Sequence, residues 1–295
     1  MRSLTVMAPA KVNLFLGVGP LRPDGYHSVQ TVLHTLALSD TVRLTPADEL
    51  TVTCDPDLGI PAENNLAYRA ARGFSAAFGV DVLLDIHVDK RIPSGAGLGG
   101  GSSDAAAVLA GLSHWAGLPL DDARLALLAA SLGADVPFFL GGGAALMGGR
   151  GDTLTRRLKP ISAQVALVKP PAPVPTAEAY EAFDGAPLPA GEARSVADAL
   201  RSHDVRAVAA ALSNNMTIAS AALVPQIAEA LEWLSAEHGV LGSVMAGSGS
   251  AVFALCERAA DAERIALSAS ERGWWGAATQ TAPTGASVTD NEAAQ

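Results

Sequence analysis

Cysteine is scarce in this chain: there are two in 295 residues, Cys54 and Cys256, each inside an apolar, strand-like run. That density excludes a disulfide framework, and no Cys-x-x-Cys or Cys/His cluster offers a zinc site. Both thiols are expected to be buried and free. Long apolar runs are missing as well. No stretch reaches the length of a transmembrane helix, and the N-terminal residues carry no hydrophobic leader, so a cytoplasmic protein without a membrane partner is expected. Positive charge is also in deficit. Twenty Lys and Arg against thirty Asp and Glu leave a net charge of −10, which argues against nucleic acid as a partner. An anionic substrate would have to be met by local positive potential, from helix N-termini, a metal ion or a few cations.

What the chain has in quantity is apolar residues, 49%, and glycine, 29 residues, with only 17% charged. This is the composition of a compact globular protein, and its length suggests two lobes. Strand patterns occupy 5–18, 41–45, 50–54, 82–88, 144–147, 163–168 and 251–255, with a further one around 244. Helical patterns occupy 65–77, 103–115, 121–132 (capped by Asp121 and ended by Gly133), 176–183, 196–212, 223–238 and 261–272. Strands and helices do not alternate regularly, so the expected class is α+β. The proline-rich 170–175 reads as a stiff, extended connection. The division expected from this pattern is an N-terminal lobe over 1–160, a C-terminal lobe over 161–281, and a disordered tail over 282–295, which is small, polar and aperiodic.

The glycines are concentrated where they carry chemistry. Residues 93–104 read Pro-Ser-Gly-Ala-Gly-Leu-Gly-Gly-Gly-Ser-Ser-Asp and flow into an alanine-rich helix. Glycines permit positive φ and close backbone approach, and a helix N-terminus presents unpaired N–H groups and a positive dipole end to phosphate. Ser102 and Ser103 would cap this helix or give hydroxyls to a phosphate. Gly95, Gly97 and Gly100 also fit the dinucleotide fingerprint, but the segment after the helix reads as a second helix where that fold needs a strand. A Walker A loop is excluded because no lysine follows the glycines.

Three further segments stand out. In Lys11-Val12-Asn13-Leu14-Phe15-Leu16 the two-residue period puts Lys11, Asn13 and Phe15 on one strand face, solvated or functional, and Asp24-Gly25-Tyr26-His27 delivers two rings to the same strand end. Gly133-Ala134-Asp135-Val136-Pro137 holds an isolated aspartate in apolar surroundings, either a helix cap or a catalytic carboxylate. Gly247-Ser248-Gly249 is a second glycine turn before an apolar strand.

In order and spacing these segments resemble the motif set of the GHMP small-molecule kinases, which include galactokinase, homoserine kinase and mevalonate kinase. The resemblance spans nearly the whole chain. Asp24 to His27, Gly97 to Asp104 and Gly133 to Phe139 are similar to the branch whose alcohol is a methylerythritol carrying a cytidine diphosphate, in non-mevalonate isoprenoid synthesis. It implies a two-lobed fold with ATP and a small-molecule substrate meeting between the lobes, and magnesium balancing the phosphates. Asp135 would be the general base and Lys11 its neighbouring cation. Asn65, Pro93, Gly95, Gly97, Leu98, Gly99, Gly100, Gly101, Ser102 and Ser103 would bind ATP, with a helix N-cap an equally good local reading of Asn65. Asn13, Tyr26, His27, Thr176, Tyr180, Gly247 and Ser248 would bind the substrate, with cytosine between Tyr26 and Tyr180 and its edge read by His27. Another alcohol kinase of the family, or a non-catalytic nucleotide-binding module, are the alternatives.

Overall fold

Lys11 and Asn13 belong to β1 (Leu4–Leu21), which pairs along its length with β2 (His27–Pro46) in a long antiparallel hairpin. The computed structural model describes residues 2–289. The turn between these strands is closed by Arg22 N–H to the Tyr26 carbonyl (2.7 Å) and needs Gly25 at φ +80°. The two-residue period of β1 does not survive intact. A register shift falls between Asn13 and Phe15, and Phe15 packs with Val12 and Leu14 in one apolar cluster. The bulge at Leu14 thus turns Phe15 away from the face that Lys11 and Asn13 share. That polar face is not solvated either: Lys11 and Asn13 are each 4% exposed.

The hairpin is the middle of an eight-stranded sheet with the path β12-β1-β2-β4-β3. Its other members are β3 (Thr51–Asp55), β4 (Leu84–Asp89), β5 (Ala144–Gly148), β6 (Thr153–Leu158) and two short strands from later in the chain. Four helices accompany this sheet: α1 (Leu66–Phe78), α2 (Gly100–Ala116), α3 (Ala123–Leu132) and α4 (Val136–Gly141). They pack Phe74, Leu109, Leu125 and Phe139 with Leu33, Leu44 and Ile86 of the strands in one core. Small residues of α2 permit close approach, and a Cβ on Gly111 would run into Leu44.

The second sheet has the order β11-β7-β10-β9. It opens with β7 (Gln164–Lys169), followed by α5 (Thr176–Gly185), α6 (Ala193–Ser202), α7 (Val205–Ala210), β8 (Ser213–Asn214), α8 (Thr217–Leu223) and α9 (Gln226–Ala236). The chain then runs through β9 (Val240–Met245), β10 (Val252–Cys256), α10 (Ala259–Glu271), β11 (Trp275–Gln280) and β12 (Ser287–Thr289). Residues 165–168 of β7 and all of β10 are apolar without a break, because both faces of these strands are covered. Val165, Leu167, Phe253 and Leu255 join Val12, Leu14 and Val32 of the first sheet, while Ala166, Val168, Val252 and Ala254 join residues of α9 and α10. The architecture is α+β, and both sheets share a core.

Several expectations need correction. Helix α3 is capped by Asp122, whose carboxylate accepts from Arg124 N–H (2.8 Å), not by Asp121. The expected helix over 196–212 is two helices, broken where His203 takes φ +57° and Asp204 caps α7. The helix expected from 223 begins at Gln226, after Pro225. Strand β2 extends back to His27, and β6 and β11 are strands that no pattern announced. Cys256 is buried and free as expected, whereas Cys54 is only partly buried. The expected tail is ordered as far as it is described: β12 pairs with β1 from Thr5 to Met7, and Ala286 is buried with its N–H on the Phe139 carbonyl. The remaining tail residues, 290–295, lie outside the described residues. Among the described residues no helix is long and apolar enough to cross a membrane.

Candidate active site

The glycine-rich loop joins β4 to α2, and its shape follows from three left-handed glycines, Gly95, Gly97 and Gly99, with φ of 64°, 76° and 77°. It is pinned from two sides: Lys11 N–H donates to the Leu98 carbonyl (3.0 Å) and Ala251 N–H to the Ala96 carbonyl (3.1 Å). A Cβ at Gly97 would run into the Ala246 carbonyl, and one at Gly247 would lie 3.4 Å from Lys11 Nζ. The early lysine strand, the glycine loop and the late glycine turn therefore meet at one point.

Helix α2 starts at Gly100 with Gly99 at its N-cap position, so neither serine caps it. Ser102 lines a cavity of about 380 Å³ together with Pro93, Gly95, Gly97, Leu98, Gly99, Gly100, Gly101 and, on the far side, Asn65 and Cys54. Ser103 does not line it. That side chain is fully buried and its Oγ has no hydrogen-bond partner, the result of its facing the core from the first helical turn. Asn65 serves locally as well: its side chain accepts from Ala67 N–H (2.9 Å) and caps α1.

Asp135 stands at the head of α4 in the N-cap position, yet it makes no side-chain cap hydrogen bond. Its carboxylate lies 3.5 Å from Lys11 Nζ and the side chain is 30% exposed, against 5% for Lys11. Lys11 Nζ donates to Asn13 Oδ1 (2.8 Å), Asn13 Nδ2 to Thr31 Oγ1 (2.9 Å), and Thr31 Oγ1 to the Phe15 carbonyl (2.6 Å). The chain of donors fixes the ammonium and leaves the carboxylate the open end. A buried cation beside a half-open carboxylate is suited to orient a hydroxyl, take its proton and stabilise charge on a transferring group.

The rings form a third group. His27 is 7% exposed, donates from Nε2 to Asp184 Oδ1 (2.8 Å), and lies 5.0 Å from the Tyr180 ring at a tilt of 31°. Burial, and after it the charge of Asp135, pushes the Tyr180 phenol above its ordinary range. Tyr26 is 54% exposed and carries the Arg150 guanidinium 4.5 Å from its ring centroid. Thr176 Oγ1 lies 3.1 Å from Ser248 Oγ, and Ser220 Oγ donates to the Ser248 carbonyl. Asn214 Nδ2 holds the Met245 and Gly247 carbonyls.

Sequence reasoning passed over Asp184, Arg150, Asn214 and Thr31. Asp184 was within reach of it, since it stands one helical turn after Tyr180 on α5. Arg150 lies in a Gly149-Arg150-Gly151-Asp152 turn, and Asp152 accepts from its Nε (3.1 Å). Nothing local marks Asn214 or Thr31, whose partners come from distant segments.

The chain matches two family models, described as "GHMP kinases N terminal domain" over residues 65–143 and "GHMP kinases C terminal" over 196–273. It is 40% identical to a 4-diphosphocytidyl-2-C-methyl-D-erythritol kinase of Geobacter sulfurreducens over 284 residues, covering 95% of this chain and all of that protein. A protein of the same name from Salinispora arenicola is 39% identical over 88% of this chain and 86% of its own length. Among solved structures, one titled as a 4-(cytidine 5'-diphospho)-2C-methyl-D-erythritol kinase superposes with a TM-score of 0.78 at 36% identity, covering 94% of this chain and 98% of the other. A homoserine kinase from Cytophaga hutchinsonii shares the fold at 20% identity, with a TM-score of 0.71 and 98% of each chain covered.

Proposed function

This chain belongs to the GHMP kinases, with the 4-diphosphocytidyl-2-C-methyl-D-erythritol kinases as its relatives, and from that membership we propose how its residues divide the work on that alcohol. It is an ATP-dependent kinase that transfers the γ-phosphoryl group to the 2-hydroxyl of the methylerythritol unit. The observation that carries the assignment of roles is the Lys11–Asp135 pair, in which the carboxylate at a helix head faces an ammonium instead of the helix.

An alcohol is a weak nucleophile at neutral pH. Asp135 orients the 2-hydroxyl and accepts its proton as the oxygen bonds to the γ-phosphorus, while the bond from that phosphorus to the bridging oxygen breaks and ADP leaves. Lys11, fixed by Asn13, stabilises the charge on the phosphoryl group in flight. The nucleotide phosphates lie along Gly95 to Ser102 at the N-terminus of α2, and the nucleoside end reaches toward Asn65. Magnesium is read as part of the MgATP substrate, where it neutralises phosphate charge. Among the described residues no group of three or more His, Cys, Asp or Glu side chains is arranged to hold a metal ion. For the cytidine end, Tyr180 and Tyr26 offer ring faces and His27, fixed by Asp184, a polar edge.

Coupled detection of ADP release tests the reading. Turnover is expected with the cytidine-diphosphate form of methylerythritol, and not with free methylerythritol, mevalonate, homoserine or galactose. Equal turnover of the free alcohol would leave a broader alcohol kinase and remove the cytidine site.

A further inference from the structure

Three charged side chains beneath the glycine loop have no part in the roles assigned above. Asp40 on β2 is fully buried; its Oδ1 accepts from the backbone N–H of Arg91 (2.5 Å) and of Ile92 (2.8 Å), and its Oδ2 from Lys90 Nζ. Lys90 Nζ also donates to Asp104 Oδ2 (2.5 Å). The other Asp104 oxygen, Oδ1, is shut off from solvent and has no hydrogen-bond partner. Lys90 and Asp104 line the same cavity as the glycine loop, and a Cβ on Gly100 would stand 3.4 Å from Lys90 Nζ. The cluster therefore lies directly under the N-terminus of α2.

Two carboxylates sharing one ammonium leave an excess negative charge if both are ionised. Asp40 has three donors and Asp104 one, so the excess falls on Asp104. A buried ionised oxygen without a donor is costly, and a neighbouring carboxylate makes it more so. In its acid form Asp104 keeps Oδ2 as an acceptor for Lys90 and removes the surplus charge. Burial foremost holds its carboxyl up at about 7, with Asp40 adding to the rise by its charge and as a hydrogen-bond acceptor, against the opposing pull of Lys90. Burial works against the Lys90 ammonium, but Asp104 and Asp40 outweigh it and hold that group above its ordinary range. Across the cavity the Cys54 thiol is also pushed up, first by burial and further by Asp104, so it stays neutral.

We propose that ATP binding takes up one proton on Asp104, so that the polyphosphate meets a neutral Asp40–Lys90–Asp104 cluster beneath the loop. The proton comes from the buffer acid in solvent: its bond to the proton breaks as one O–H bond forms on Asp104, and no other bond changes. The inference rests on the glycine-loop cavity being the ATP site.

Calorimetric titration of the whole protein with a magnesium-bound, non-hydrolysable ATP analogue, in buffers of different ionisation enthalpy at about pH 8, reads the proton directly. Wild type is expected to take up close to one proton more than Asp104→Asn, since protonation of the analogue's own phosphates is common to both. Its affinity should fall about tenfold per pH unit above that pH while the variant's stays flatter. Equal uptake by two proteins that both bind overturns the inference. Failure of wild type to bind the analogue overturns the ATP-site reading instead. Should the variant not fold, the infrared difference spectrum of wild type on adding the analogue decides: a carbonyl stretch of a protonated carboxylic acid must appear, and its absence overturns the inference.

Discussion

The Asp135 carboxylate lies 3.5 Å from the Lys11 ammonium and makes no cap hydrogen bond to the helix that Asp135 itself heads. An aspartate at that position ordinarily gains about 1 kcal/mol by capping. Here that gain is forgone, and the carboxylate is held for the cleft.

Asp135→Asn should therefore lower kcat by about a hundredfold or more, with no loss of thermal stability and no loss of affinity for an ATP analogue. Steady-state kinetics, a melting curve and a titration check the three parts. A fall in Tm with kcat kept would mean that the carboxylate acts as a cap after all.

The glycines of the loop should divide into two kinds. Gly97 abuts the Ala246 carbonyl, and a Cβ on Gly99 would meet Phe139 Cζ at 2.7 Å, so Gly97→Ala and Gly99→Val should each destabilise the fold by about 1–3 kcal/mol. At Gly101 a Cβ would meet only Leu66 Cδ1, at 3.7 Å. Gly101→Ala should keep or raise the Tm, since alanine is the better helix former, and raise the KM for ATP by roughly tenfold, because its methyl holds a phosphate off the backbone N–H groups at about the cost of one hydrogen bond to a charged group. Melting curves and ATP titrations of the three variants separate the two kinds.

Removing a ring should act on the alcohol substrate and spare ATP. Tyr180→Leu and Tyr26→Ala are each expected to raise the KM for the cytidine-bearing substrate by about tenfold or more, from about 1–3 kcal/mol per stacked base. Asp184→Asn should weaken discrimination between cytidine and uridine forms, because His27 Nε2 loses its charged partner and the imidazole its fixed orientation. Kinetics with paired cytidine and uridine substrates read both effects.

His34 gives the fold an acid limit. The ring is fully buried, Ile161 N–H donates to its Nε2 (3.1 Å), and its Nδ1–H is left to donate to the Thr35 carbonyl. Burial lowers its pKa from 6.5 to about 4, with the Thr35 carbonyl opposing. Below 6.5 the unfolded chain takes up a proton that the folded chain refuses until about 4, so stability falls as pH falls through that window. The loss should total about 3 kcal/mol. Urea unfolding across the window measures it, and His34→Gln should flatten the dependence.

The Lys11–Asp135 pair to which we assign catalysis, the glycine loop and His27 stand out in sequence because each sits in a short segment whose local chemistry is unusual. The neighbours that fix them are not. Thr31 supports Asn13 from across the hairpin, Asn214 reaches the Gly247 carbonyl from another element, and Asp40 approaches Lys90 from fifty residues away. Long-range pairing leaves no periodic trace. The strand face of Lys11 is misread for the same reason: the bulge at Leu14 and the loop covering Lys11 are products of tertiary contact. Likewise the segment 282–289 looks structureless because its small residues are chosen to fit under other backbone, as where Gly285 packs against Gly142.

That returning segment sets an order on biosynthesis. β12 completes the edge of the first sheet, and Ala286 N–H holds the carbonyl of Phe139 in the helix that begins beside Asp135. A nascent chain emerging from the ribosome thus carries a first sheet that lacks its edge strand until every strand of the second sheet has been translated, so the first sheet is completed last.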